Sequence, residues 1–190
     1  MLDRLLMPMR FDAAALATDA QALDESSWEN HFNTGTYRGD WSGVALRSDG
    51  GRATLYANPR ASHDFADTPL LARCPNVRQA LQAFSCELTS VRFLRLGAEA
   101  RILEHRDYGL LFEEGEARMH VCVQTNEDVE FLLDALPVAM AEGDCWYIDV
   151  DKPHSAANLG ATPRIHLVVD CVVNAWLRER MAAAVPEVLA

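Results

Sequence analysis

Residues 164–172 read Arg164-Ile165-His166-Leu167-Val168-Val169-Asp170-Cys171-Val172. Over the first seven the side chains alternate, with Arg164, His166, Val168 and Asp170 on one side of an extended chain and Ile165, Leu167 and Val169 on the other. A period of two rich in β-branched residues predicts a strand. Arg118 to Thr125 repeats the pattern, setting Arg118, His120, Cys122 and Gln124 against Met119, Val121 and Val123. Each strand therefore has an apolar face and a face rich in binding groups. A polar face turned to water would give the same alternation as one lining a pocket, and the sequence leaves both open.

Working outward, Leu88 to Leu96, Arg101 to His105, Val129 to Leu132 and Trp146 to Ile148 are further short β-rich runs between acidic or Gly/Pro-containing turns. Six such strands within about 85 residues predict a sandwich or barrel. Upstream, Phe11 to Asp24 reads as a helix, Asn33 to Gly43 as turns and Trp41 to Arg47 as a strand closed by Asp49-Gly50-Gly51. Thr54 to Tyr56 is expected to be extended and Asn58 to Cys74 a loop. Asn76 is expected to cap a helix reaching about Phe84, and Asn174 one running from Ala175 to about Ala184. Met1 to Arg10 is assigned no element.

A chain of 190 residues falls in the size range of one domain. With 28 acidic against 17 basic residues and a net charge of −11, it would repel a phosphate backbone, so no nucleic acid partner is expected. No apolar run approaches a membrane span or a secretory signal, which predicts a cytoplasmic protein without membrane association. The odd set of five cysteines lacks CxxC spacing and suggests neither a disulfide framework nor a thiolate zinc site.

His105 and Asp107 stand two apart at a strand end, where both side chains project to the same side. His154 is the natural third ligand. Two imidazoles and one carboxylate on one face of an octahedral Fe(II) leave the opposite positions open, the arrangement of non-haem iron oxygenases. Arg164, ten residues after His154, can sit deep in a barrel and pair in a bidentate manner with the distal carboxylate of 2-oxoglutarate.

The run from Arg95 through His105-Arg106-Asp107, then Arg118-Met119-His120, then Asp149 with His154, then Arg164 to Asp170, resembles the aspartyl/asparaginyl β-hydroxylase family of 2-oxoglutarate oxygenases, of which bacterial proline hydroxylases are close cousins. The resemblance is strongest over residues 88 to 172. It implies a single domain with a mainly β, double-stranded β-helix (jelly roll, cupin-like) fold, helices flanking it near the N-terminus and at the C-terminus. It also implies Fe(II), 2-oxoglutarate and O2, with iron on His105, Asp107 and His154, the distal carboxylate on Arg164, and Arg118 and His120 contacting the cosubstrate.

The expected activity is hydroxylation of an aspartyl or asparaginyl residue, a free amino acid such as proline, or a short peptide. Asp107 speaks against halogenation, which needs the coordination site a carboxylate occupies. It also separates the chain from the animal aspartyl β-hydroxylases, which lack that carboxylate and present folded-domain substrates on a long helical-repeat region. Competing readings are a non-catalytic 2-oxoglutarate or metal sensor of the same fold and a cupin-like metalloenzyme with other chemistry. His166 could contact substrate or cosubstrate or be structural, and Asp149 could orient a ligand or belong to a turn. Trp41, Tyr108 and Trp146 are candidates for the pocket wall or the core, and Asn158 is expected in a turn. For Arg118 the alternative is a surface salt bridge with Glu113, Glu114 or Glu116.

Overall fold

The computed structural model describes residues 3–55 and 64–186. In chain order these form β1 (Arg4–Arg10), α1 (Ala13–Gln21), β2 (Glu29–Asn30), β3 (Tyr37–Arg38), β4 (Trp41–Asp49), β5 (Phe65–Asp67), α2 (Pro75–Leu81), β6 (Leu88–Leu96) and β7 (Arg101–His105). There follow β8 (Glu116–Gln124), β9 (Val129–Leu133), β10 (Leu136–Pro137), β11 (Asp144–Ile148), β12 (His154–Asn158), β13 (Arg164–Val172), α3 (Ala175–Ala183) and β14 (Val185–Pro186). The larger sheet runs β14-β1-β11-β8-β13-β6-β4-β2 with β5 beside β4, and the smaller runs β10-β9-β12-β7-β3. From β6 to β13 the chain repeatedly crosses between the sheets, which is the winding of a double-stranded β-helix.

Both faces of the larger sheet are buried, for different reasons. On its outer face Phe93, Val121, Leu167 and Val169 join Leu16 and Ala20 of α1, Val77 of α2 and Leu177 of α3 in one apolar cluster. On its inner face Leu96, Trp146 and Ile148 meet Ile102, Phe131, Leu133 and Ala156 of the smaller sheet. The polar rows of β8 and β13 lie between the sheets, with Arg118 at 9%, Arg164 at 3% and His166 at 1% exposure. Water does not solvate that side, so the alternation marks a polar interior.

Helix α1 is shorter than expected and begins where Asp12 Oδ1 accepts from the Ala15 N–H at 3.0 Å. Asn174 caps α3 as expected, accepting from Leu177 N at 3.0 Å. Asn76 does not cap α2. Pro75 occupies the first turn, where its fixed φ suits a helix start. Asp19 of α1 accepts from the Val77 N–H at 2.8 Å, and Asn76 Nδ2 donates back to Asp19 Oδ1 at 2.8 Å. The cap thus comes from another helix, which local sequence cannot show.

Strand β1, in the stretch assigned no element, pairs with β11 and buries Leu5 and Met7. Its Leu/Met composition and Pro8 hid its extended form. The expected turn at Gly50 and Gly51 is present, with φ of +63° and +64°. Arg52 to Leu55 forms no strand, and Tyr56 to His63 lies outside the described residues. Within the expected loop Asn58 to Cys74, the structure places β5 and a 3-10 turn, Pro69–Arg73, capped by Thr68. No helix among the described residues is long and apolar enough to cross a membrane.

Candidate active site

His105 is the last residue of β7 and His154 the first of β12, and the two are direct partners in the antiparallel register. Cross-strand partners project to the same face, and the two rings lie 4.2 Å apart between centroids. Each Nδ1 meets a backbone carbonyl that can only accept, Leu103 O at 2.8 Å for His105 and Lys152 O at 3.0 Å for His154. Both rings therefore carry a proton on Nδ1, which leaves Nε2 as the nitrogen that the neutral ring offers to a metal. Asp107, fixed by its N–H to Val150 O at 2.9 Å, brings Oδ1 to 3.7 Å from His105 Nε2. The three ligand atoms lie within 4.8 Å of one another, so the structure brings these residues together.

The second carboxylate oxygen of Asp107 accepts from Arg118 Nη1. Arg118 also grips Asp170 in a bidentate pair, Nε to Oδ1 at 2.7 Å and Nη2 to Oδ2 at 3.0 Å. Arg92 joins at Asp170 Oδ2 at 3.0 Å and is held by Ser90 Oγ at 2.6 Å. The register of β13 opposite β8 and β6 dictates this assembly, since Asp170 faces both Arg118 and Ser90. Burial works to raise both carboxyls, but the arginine charges win and hold Asp107 and Asp170 below the usual carboxylate range. Arg118 thus forms no surface bridge to the neighbouring glutamates.

At the other end of the same inner rows stands Arg164. Its Nη2 lies 3.0 Å from His166 Nδ1, its guanidinium sits 5.8 Å from the Phe131 ring centre, and its buried Nε has no partner. Burial pulls Arg164 down to about 10, and among the described residues no carboxylate pairs with it. The nearby Cys122 thiol is pushed up to about 12 by burial and is no counter-ion. A cavity of about 290 Å³ opens onto Arg164, His166 and Phe131. A desolvated, unpaired guanidinium is costly unless an anion joins it.

His120 lies between these two groups, with its Nδ1 3.4 Å from His166 Nδ1 and its buried Nε2 unpartnered. Trp146 is its cross-strand partner on β11. Trp41 and Trp146 are both buried beside the site, each with an unpartnered indole N–H, whereas Tyr108 is 80% exposed and walls nothing. Asp149 belongs to a turn, where its Oδ1 accepts from the Asp151 N–H at 3.2 Å. Asn158 ends β12 and opens a turn as expected, its Oδ1 accepting from the Gly160 N–H at 3.2 Å, while its buried Nδ2 lies within 3.1 Å of Leu96 O, Gly97 O and Thr162 O.

Sequence reasoning missed His31, which stacks on Trp41 at 3.6 Å in the neighbourhood of Asp107 and His105. No motif marks it, because it sits outside any periodic run. Asp170 and Arg92 were visible as polar residues on strand faces, but their partners depend on strand order.

The buried histidines make acid lability predictable. Burial takes His154 down to about 4 and, with the arginine charges, holds His120 and His166 well below the usual histidine range. The unfolded chain binds protons below about pH 6.5 that the folded chain refuses, so stability falls with pH by up to about 1.4 kcal/mol per unit for each such group. Urea midpoints of the chelator-treated protein should therefore drop steadily from pH 7 to 5. A flat profile would contradict the buried neutral state of these rings.

Fold and site together define a jelly-roll protein of the cupin and 2-oxoglutarate oxygenase architecture, with a clustered two-histidine, one-carboxylate donor set. Residues 9–173 match the family described as aspartyl/asparaginyl beta-hydroxylase, and the chain belongs to that hydroxylase family. It is similar to an L-proline cis-4-hydroxylase of Rhizobium meliloti (strain 1021), 28% identical over 178 residues, spanning 93% of this chain and 63% of that relative's length. In fold it is similar to the non-haem alpha-ketoglutarate-dependent epimerase SnoN from nogalamycin biosynthesis, with a TM-score of 0.54, 15% identity, and 89% and 77% of the two chains covered. It is also similar to the viral collagen prolyl hydroxylase of Paramecium Bursaria Chlorella virus-1, solved as a 2OG complex, with a TM-score of 0.52, 8% identity, and 90% and 97% covered.

Proposed function

We infer that the chain is an Fe(II)- and 2-oxoglutarate-dependent dioxygenase that hydroxylates a free amino acid such as proline, an aspartyl or asparaginyl residue, or a short peptide. The observation that supports this best is the pairing of a metal-type donor cluster with Arg164, a buried cation lacking a carboxylate partner among the described residues, on one polar interior. An orphaned Arg164 Nε and an orphaned His120 Nε2 facing that interior fit a small dicarboxylate better than a bare cupin metal. The curated relative's name supports a free amino acid as substrate.

His105 and His154 would bind iron through Nε2 and Asp107 through Oδ1, while Arg118 keeps Oδ2 from swinging. Arg164 would hold the distal carboxylate of 2-oxoglutarate and orient it, with Arg118 and His120 nearer its chelating end. Such a centre, when loaded, supplies an oxidant strong enough to break an unactivated C–H bond, with 2-oxoglutarate converted to succinate and CO2. Phe131, Trp41 and Trp146 exclude water around it, which protects the reaction from side oxidation.

The experiment is anaerobic titration of 2-oxoglutarate into the Fe(II)-loaded protein, followed by O2 and assay of succinate against a panel of amino acids and short peptides. Arg164→Met should weaken 2-oxoglutarate binding by about 30- to 1,000-fold, the cost of removing one member of a buried hydrogen-bonded charge pair. The same variant should unfold no earlier than the parent without ligand, because an unpaired buried charge has gone. Unchanged affinity would sink the dioxygenase reading.

A further inference from the structure

The mutual hydrogen bonds of Arg164, His166 and His120 restrict where their protons can be. A guanidinium N–H only donates, so Arg164 Nη2, 3.0 Å away, meets a bare His166 Nδ1. His120 Nδ1 lies 3.4 Å from the same nitrogen. Two lone pairs facing each other would repel, so His120 Nδ1 carries a proton and donates it. In neutral His120 the remaining nitrogen, Nε2, is then bare. That atom is buried without a partner. A carboxylate or keto oxygen offers only lone pairs, so neutral His120 in this tautomer repels the cosubstrate it should hold. Imidazolium His120 carries N–H on both nitrogens and satisfies both contacts.

We propose that His166 is a positioning residue: its bare Nδ1 orients Arg164 and pins the proton of His120 to Nδ1, so that 2-oxoglutarate enters this pocket together with one proton, which goes to His120 Nε2. The proposal rests on the reading of Arg164 and His120 as cosubstrate contacts. The charges facing His120 account for its neutrality beforehand. Besides burial, Arg164 of β13, Arg118 of its own strand and His154 of β12 oppose its protonation, and Asp170 favours it. His166 and Cys122 are neutral, and Trp146 and Phe131 complete the surroundings without charge. A dianion on Arg164 reverses that balance.

Isothermal titration of 2-oxoglutarate into the Fe(II)-loaded protein under argon, in buffers of differing ionisation heat at pH 7.5, counts the protons. Iron on His105 and His154 removes those rings from the count. The expected result is uptake of one proton per cosubstrate, with affinity falling about tenfold per pH unit above neutrality, as one-proton linkage requires. His166→Phe frees His120 to hold its proton on Nε2 while neutral, so uptake should vanish and affinity should fall about tenfold at pH 7.5 as Arg164 loses its tether. His166→Asn keeps an acceptor near the Nδ1 position and should restore both. Zero uptake by the parent, or full uptake by His166→Phe, overturns the proposal while leaving the cosubstrate reading intact if Arg164→Met still weakens binding at least about 30-fold. A parent that binds no 2-oxoglutarate, or an Arg164→Met variant that binds it normally, overturns both.

Discussion

Asp170→Asn is expected to lower stability by about 3–5 kcal/mol, the cost of breaking a buried ion pair by removing one member. Asp170 is 5% exposed and is the shared counter-ion of Arg118 and Arg92. Its removal leaves two guanidinium groups on the inner face with Asp107 as the carboxylate that remains beside them among the described residues. For a chain of this size that loss corresponds to a thermal midpoint lower by roughly 6–20 °C. The folded-state pKa of Asp170 is depressed, so its contribution is complete above the unfolded value of about 3.9 and is lost as pH falls through the folded value. Parent and variant midpoints should thus differ most at neutral pH and converge in acid. Equal midpoints at pH 7 would show that Arg118 needs no buried partner.

How far the sequence leads can be seen at these residues. The boundaries of β6, β7 and β13 match the short β-rich runs read between turns, and in β13, which lies between two packed layers, alternation shows why, since such a strand presents one side chain to each. The clustering of His105 and Asp107 was legible because residues two apart at a strand end project to one side. Arg164 was expected deep in the barrel, and it is buried there. What alternation cannot supply is which strands are neighbours. The Arg118–Asp170 pair spans 52 positions and the Arg92–Asp170 pair 78, so both are set by the order β8-β13-β6. Asn158 was legible as a turn residue, since its Oδ1 accepts from the Gly160 N–H, but its amide also closes carbonyls left open where β6 ends, a tertiary role that the local preference does not show. His31 reaches the site only by stacking on Trp41, and no spacing rule encodes that.

Asp107→Ala should produce the opposite pattern to Asp170→Asn. Arg118 holds two carboxylates, but they differ in burial: the side chain of Asp107 is 36% exposed and that of Asp170 only 7%. Removing Asp107 leaves Arg118 its bidentate partner and opens no large cavity, so the thermal midpoint should stay within a few degrees of the parent, about 1 kcal/mol or less. Metal affinity should fall at least about 100-fold, since losing a direct ligand costs no less than losing an outer partner of one. Equilibrium dialysis against Fe(II) under argon measures the first effect, and substrate-dependent succinate release should be lost with it. If Asp107 were merely a second counter-ion of Arg118, its removal would cost stability and leave metal binding unchanged. The two variants together therefore separate one arginine's two carboxylates into an anchor for the fold and a ligand for the metal, and a shared phenotype would collapse that distinction.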